Sequence, residues 1–250
     1  MQDVNKIRIG LVNWIGLFTL TKRETKRFLK VFQQTILAPA FTSLIFLLVI
    51  SLALGGSIRE INGVRFLDFL APGLIIMAMI QNAFANTSSS MISSKVGGNI
   101  VDILMPPLSA SELTIAYLIG ALLRSLFVGI AATLVMIPFV NIQIYNIIIL
   151  LFFSISGAIF LGLLGLITGI WAEKFDNMSA VTNFLITPLT FLSGTFYSVE
   201  RLPEPFYTLC FFNPFFYIID GFRSSFIGHN DSNLLIGMLY LTSINLFLYF

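Results

Sequence analysis

Pro188-Leu189-Thr190-Phe191-Leu192-Ser193-Gly194-Thr195-Phe196-Tyr197 decides how the chain is read. A strongly apolar run meets Pro188 and Gly194, and within about thirty residues come Leu202-Pro203, Asn213-Pro214, Asp220 and Arg223. The second apolar run, from Phe206 to Ile219, is about fourteen residues long and holds Asn213-Pro214 near its middle, too short to cross a bilayer. Irregular backbone at membrane depth persists only where protein or a water-filled cavity covers it. The stretch therefore predicts a fifth span broken at Pro188 and Gly194, with external re-entrant helices after it rather than a seventh crossing.

The rest of the chain agrees with a membrane setting. Hydrophobic residues make up 57% and charged residues 10% of 250 positions, with a mean hydropathy of +0.92. A soluble domain is charged at about a quarter of its positions, so this chain has too little polar surface to wrap a soluble core. The formal charge of +2 conceals an asymmetry, because Lys6, Arg8, Lys22, Arg23, Lys26, Arg27 and Lys30 all precede the first long apolar run. Such a cluster stays on the cytoplasmic side. The first thirty residues are too charged for a secretory leader and read as retained. One cysteine, Cys210, leaves the fold to helix packing rather than to an internal disulfide.

Apolar runs of about twenty residues fall at 35–55, 69–91, 113–138, 147–171, 180–199 and 233–250, which predicts six crossings. The amino-terminal segment and the loops holding Lys95 and Lys174 carry nine Lys/Arg, against Arg59, Arg65, Arg201 and Arg223 in the opposite loops. Both termini are thus expected in the cytoplasm. The expected fold is all-α and integral to the membrane: one domain over 1–250, with 1–34 an amphipathic interfacial segment and 35–250 a six-span core.

The amino-terminal segment interleaves Ile7, Leu11, Trp14, Ile15, Phe18, Phe28, Leu29 and Phe32 with its cations, as an interfacial helix against anionic lipid does. Between spans two and three lies a second motif holding Gly97, Asn99, Ile100, Ile103, Leu104, Pro106 and Pro107. Asn99 can cap a short helix whose apolar residues recur at helical spacing, Pro106-Pro107 stops it, and Ser109 or Ser111 can cap the next helix. By its residues alone the motif is either a docking knob or a plain interfacial loop.

Catalytic parts are scarce. His229 has no His or Cys near it in sequence, so a metal site is not expected. The chain has no Gly-Lys pair and hence no phosphate-cradling loop of its own; a process that uses ATP needs another polypeptide for it. Carboxylates sit at loops or span ends, which argues against an ion-coupled carrier, and a membrane-embedded transferase lacks clustered acid, base or metal ligands. Arg124 is the one clear ionisable residue inside a span, where it can snorkel, pair with another helix or contact an anionic head group. Asp220 and Arg223, three apart, are expected to form an ion pair. Gln81, Asn82, Asn86, Thr87, Ser88, Ser89 and Ser90 load the second span with polar groups that must face other helices or a pathway. Ser154, Ala158, Gly162, Gly165 and Gly169 predict close helix packing, within the subunit or, as the alternative, at a dimer contact.

Taken in order, these features resemble the permease subunits of the ABC-2 type exporter family. The likeness rests on the basic amphipathic start, Phe69-Leu70-Ala71-Pro72-Gly73, Leu104-Met105-Pro106-Pro107-Leu108, Pro188 to Gly194, Leu202-Pro203, Asn213-Pro214 and Asp220-Gly221-Phe222-Arg223. Together they cover nearly the whole chain, and they are similar to bacterial inner-membrane permeases grouped with drug, lipooligosaccharide and polysaccharide exporters. The resemblance implies a half-transporter: two permeases pair as a homodimer, two cytosolic ATPase subunits hold the ATP and Mg, and nucleic acid has no part. It implies that Gly97 to Pro107 is the coupling segment, that Leu202 to Gly228 caps the exit path, and that spans two and five line the seam. Many relatives carry a charged pair ahead of the coupling segment, where this chain has Ser94-Lys95 and then glycines.

Overall fold

The computed structural model describes residues 12–54, 60–61, 63–199 and 202–250. Ile7, Leu11, Lys6, Arg8, Arg59 and Arg201 lie outside them. In chain order come α1 (Trp14–Leu29), a π-helical turn (Gln33–Leu37), α2 (Ala38–Leu54), β1 (Glu60–Ile61), β2 (Val64–Arg65), α3 (Phe66–Val96), α4 (Ile100–Leu104), α5 (Ala110–Met136) and α6 (Ile147–Trp171). After these come α7 (Phe175–Val181), a second π-helical turn (Thr182–Ile186), α8 (Thr187–Leu192), α9 (Phe206–Phe212), α10 (Pro214–Ile227) and α11 (Leu234–Tyr249). The fold is thus mostly helical. Its departure from all-α is a tiny antiparallel ribbon pairing Glu60 with Arg65 and Ile61 with Val64.

Among the described residues, four helical segments are long and apolar enough to cross a membrane: Gln33–Ala53, Phe66–Val96, Ala110–Met136 and Ile147–Trp171, while α11, in the sixth predicted run, is a shorter apolar helix of 16 residues and the fifth segment does not join them. Their starts are written in the sequence. Asn13, Ser109, Asn146, Asn213 and Asn233 each accept a backbone N–H of the first turn of α1, α5, α6, α10 and α11, satisfying donors that no helix can satisfy internally.

The core is built around α3, the most buried of the four. It lies against α6 along the predicted row of small residues. A Cβ on Gly165 would stand 2.5 Å from the Phe84 carbonyl oxygen, and one on Gly169 2.7 Å from Met91 Cβ; Thr87 Oγ1 donates to the Gly162 carbonyl at 2.9 Å. Without side chains at these positions the backbones approach closely enough for that bond, the usual way helices associate in lipid. The same row therefore packs inside the subunit.

Pro188 does not break the fifth apolar segment. The chain is helical from Phe175 to Leu192, and the π-helical turn before the proline, closed by Thr187 N–H on the Thr182 carbonyl, takes up the misfit. The helix ends at Leu192, and the chain reverses at Gly194, whose φ of 76° is left-handed. The segment predicted at 180–199 thus sits earlier, because a proline in a widened turn is compatible with helix. Beyond it, the second short apolar run is two helices parted at Asn213-Pro214. Phe215 meets Phe160 edge to face, 5.8 Å between ring centroids, while Tyr145 N–H donates to the Ser225 carbonyl, so α10 runs from the depth of Phe160 to the start of α6.

Candidate functional site

At one end of the bundle, α1 lies lengthwise along α5. Leu20 packs with Tyr117, a Cβ on Gly120 would come within 2.8 Å of Glu24 Cβ, and Phe28 meets Phe127 at 6.1 Å between ring centroids. The buried stripe of α1 is Leu20, Glu24 and Phe28. Trp14, Ile15 and Phe18 are exposed.

A polar clasp joins the start of α1 to the segment before α5. Glu112 accepts Asn13 N–H at 2.5 Å on one carboxylate oxygen, and Ser109 N–H at 2.7 Å and Ser109 Oγ at 2.8 Å on the other. Ser109 Oγ in turn accepts Glu112 N–H at 3.3 Å, and Asn13 Nδ2 donates to the Pro107 carbonyl at 3.2 Å. The reciprocal capping of α5 thereby also fixes α1.

Between α3 and α5, Gly98 makes the turn with φ of 72°. Asn99 stands at the cap position of α4, but its side chain makes no capping bond; the backbone turn at Gly98 already sets the direction. Ile103 is buried and Ile100 half-buried, whereas Gly97, Asn99, Leu104, Met105, Pro106 and Pro107 are exposed. The predicted apolar stripe is thus split: Ile103 anchors the segment, and Val101, Leu104 and Met105 look outward. Behind α4 lies a groove of about 430 Å³ lined by Met91, Ile103, Leu113, Leu166 and Ile170. Lys95 Nζ donates to the carbonyls of Ile170 and Ala172, tying the ends of α3 and α6.

Farther in, Asn82, Asn86, Ser89 and Ser90 of α3 face α1 and α5. Arg27 donates Nη2 to the Asn86 carbonyl at 2.7 Å and to Asn86 Oδ1 at 3.0 Å, Nη1 to Ser89 Oγ at 3.2 Å, and Nε to Glu24 at 3.3 Å. Glu24, fully buried, also accepts Ser90 Oγ at 2.9 Å. Arg124 reaches across to α3, where Nη2 donates to Asn82 Oδ1 at 2.8 Å. Of its three sequence readings, contact with another helix is realised.

At the opposite end, α10 is stitched to its surroundings by three of the predicted cap residues. Asn213 Nδ2 donates to the Leu189 carbonyl at 3.0 Å and to Ser193 Oγ at 2.8 Å. Arg223 Nη2 donates to the carbonyls of Gly194 at 2.6 Å and Thr195 at 3.2 Å, with its guanidinium 4.0 Å above the Phe69 ring. Asp220 accepts Asp231 N–H and Ser232 N–H, both at 2.9 Å, and Ser232 Oγ at 2.6 Å. Asp220 and Arg223 therefore do not form the expected ion pair; both are buried, and each finds closer partners in a neighbouring loop. Pro214 opens α10, and the Pro203 carbonyl accepts the first N–H groups of α9, with Leu202 half-buried beside it.

Residues 16–227 match the profile of the ABC-2 type transporter family. The chain belongs to that family. Among similar proteins, the inner membrane transport permease YadH of Escherichia coli (strain K12) is 35% identical over 218 residues, covering 87% of this chain and 85% of that one. Nodulation protein J of Rhizobium leguminosarum bv. viciae is 24% identical over 238 residues, 93% and 89% of the two chains. An ABC-2 family chain is a transport permease, a membrane component rather than a catalyst.

Three residues of this ABC-2 permease escaped the sequence reading: Asn13, Glu24 and Glu112. Ser109-x-x-Glu112 is a capping-box pattern and was there to be seen. Glu24 lies four residues from both Leu20 and Phe28, the phase of a buried stripe, but its place amid cations hid it. Asn13 carries no pattern beyond that of an ordinary cap.

Proposed function

We propose that this chain is the membrane half of an ATP-driven exporter that moves an amphipathic or lipid-linked substrate outward. Two copies pair, with spans two and five at the seam, and two separate cytosolic ATPase subunits carrying ATP and Mg dock on Gly97 to Pro107 and α1. Each copy, a single domain, crosses a bacterial inner membrane six times with both termini in the cytoplasm, and α9–α10 caps the outer end as a re-entrant pair. The placement of Phe215 beside Phe160 supports the re-entrant reading, since it puts the α9–α10 junction about 20 Å along α6 from Ile147. Exposed Phe184, Leu185 and Phe191 on the fifth segment supply an apolar face for the second copy.

The observation that carries the reading is the clasp of Asn13, Pro107, Ser109 and Glu112. It makes α1, the coupling segment and α5 one body, so that a push on Val101, Leu104 and Met105 displaces a span instead of bending a loop. ATPase closure then favours one of two arrangements of the spans by binding it more tightly. Replacing Leu104 and Met105 together by Asp, both exposed, is expected to abolish co-purification with the cognate ATPase and its stimulated turnover while leaving the permease folded. Unchanged binding and turnover would refute the docking assignment. Ile103 is unsuited to this test because it is buried.

A further inference from the structure

Arg124 is 8% exposed in a helix apolar enough to cross a membrane, and no carboxylate lies within ion-pair distance of it among the described residues. The acid at this junction, Glu24, is engaged by Arg27 and Ser90. Two guanidinium groups thus face one carboxylate where α1, α3 and α5 meet. A buried charge without a counter-charge is costly, the more so at membrane depth.

Donors are in excess as well. Arg124 spends Nη2 on Asn82, and its Nε has no partner; Asn86, fully buried, gives Oδ1 to Arg27 and leaves Nδ2 unpaired. Asn82 opposite Arg124 and Asn86 opposite Gly120 are successive rungs of antiparallel helices, about 6 Å apart, so these N–H groups lie on adjacent turns of one helix pair. Thr21 Oγ1, Tyr117 OH and Ser125 Oγ, unpartnered too, belong to the same three helices. Five of the seven buried side-chain atoms without a partner among the described residues thus lie on these three helices. The approach is cationic: Lys22, Arg23, Lys26 and Lys30 are exposed on α1, and Arg27 is half-buried.

We propose that this junction binds an oxyanion of the phosphate type, held by Arg124 Nε and Asn86 Nδ2 with Arg27 beside it. Guanidinium N–H groups suit such oxygens, and the anion supplies the counter-charge that the protein does not. The source is either the head group of an anionic lipid or free phosphate. The site goes beyond the transport reading and stands whether or not an ATPase docks.

The test uses the full chain in lipid nanodiscs and reads the thermal midpoint. One arm compares phosphatidylcholine discs with and without inorganic phosphate at constant ionic strength; the other adds phosphatidylglycerol to the discs. One arm is expected to raise the midpoint by about 3–6 °C at ten times the dissociation constant, and which arm does so names the source. Arg124→Gln is expected to lose that rise, and Lys174→Gln, at an exposed cation outside α1, α3 and α5, to keep it. Asn86→Asp provides an independent check should Arg124→Gln not fold: it installs an internal counter-charge, so it should raise the midpoint in anion-free discs and abolish the response. No rise in either arm, or a rise that survives both Arg124→Gln and Asn86→Asp, would overturn the site in favour of a water-filled polar cluster.

Discussion

Replacing Arg223 by Met tests whether one guanidinium holds the α10 end of the bundle together. The side chain is 4% exposed and touches three segments at once: the carbonyls of Gly194 and Thr195, the ring of Phe69 on α3, and its own helix α10. Methionine fills much of the volume but leaves two carbonyls without their donor, at about 1–3 kcal/mol for each buried group. Loss of the cation over Phe69 adds about 1 kcal/mol. Against this, Met relieves the desolvation cost of a buried cation, which recovers a large part of the gross sum. A net loss of about 3 kcal/mol is expected, or about 6–12 °C in thermal midpoint for a chain of this size. Arg223→Lys keeps a charge that can serve one carbonyl but neither the planar stack nor both acceptors, and should fall between.

Thermal unfolding in nanodiscs measures both variants, and a double-mutant cycle with Phe69→Leu isolates the stacking contact. Phe69→Leu should cost more in the wild-type background than in Arg223→Met, the difference being about 0.5–2 kcal/mol. An Arg223→Met midpoint within about 2 °C of wild type, with no coupling to Phe69, would refute the argument that this residue clamps the break after α8.

Gly165→Ala should destabilise by about 1–3 kcal/mol, because its Cβ would stand 2.5 Å from a backbone oxygen of Phe84 that cannot rotate away; Gly162→Ala, whose 2.9 Å neighbour is the movable Leu118 Cδ2, should cost less, and thermal midpoints rank the two. Asp220→Asn places at most one acceptor oxygen opposite the three donors of Asp231 and Ser232, so a loss of about 2 kcal/mol is expected, with faster hydrogen exchange at both amides. Ser109→Ala removes the cap of α5 and a partner of Glu112; about 1 kcal/mol of stability should go, along with increased proteolysis between Pro107 and Ser111.

The helices were legible because apolar runs of membrane length have few alternatives. Thr35 to Gly55 and Ile147 to Trp171 carry no charge, and the structure places α2 and α6 there. The small-residue row in α6 was legible for the same reason, since its spacing fixes a face. What could not be read was register between helices. Arg124 meets Asn82, forty-two residues away, because α3 and α5 run antiparallel with one particular offset, and nothing local sets that offset. The Asp220–Arg223 pair failed from the opposite error: helical spacing permits contact but does not weigh it against the backbone groups of the Gly194 and Asp231 turns, which lie outside the helix. Pro188 misled because a proline forbids one hydrogen bond, not a helix, and a π-helical turn can absorb the loss.

The placement of polar groups on α3 bears on how its two ends communicate. Asn82, Asn86, Ser89 and Ser90 latch it to α1 and α5, Thr87 to α6, and Lys95 to the end of α6. At the far end Gly73 admits the Thr195 carbonyl and Arg223 so closely that a Cβ there would stand 2.7 Å and 2.8 Å from them. The helix between these points has no glycine or proline after Gly73 until Gly97, and its Asn82, Ser88 and Ser94 side chains each bond the carbonyl four residues back, which bends a helix only slightly. Under the proposed docking, a displacement at Gly97 to Pro107 would pass along α3 toward Gly73 and the turn after α8, about 35 Å away. This close contact sits where the fifth apolar helix ends, so such a movement of α3 would bear on the Gly194 turn and, through Arg223, on α10.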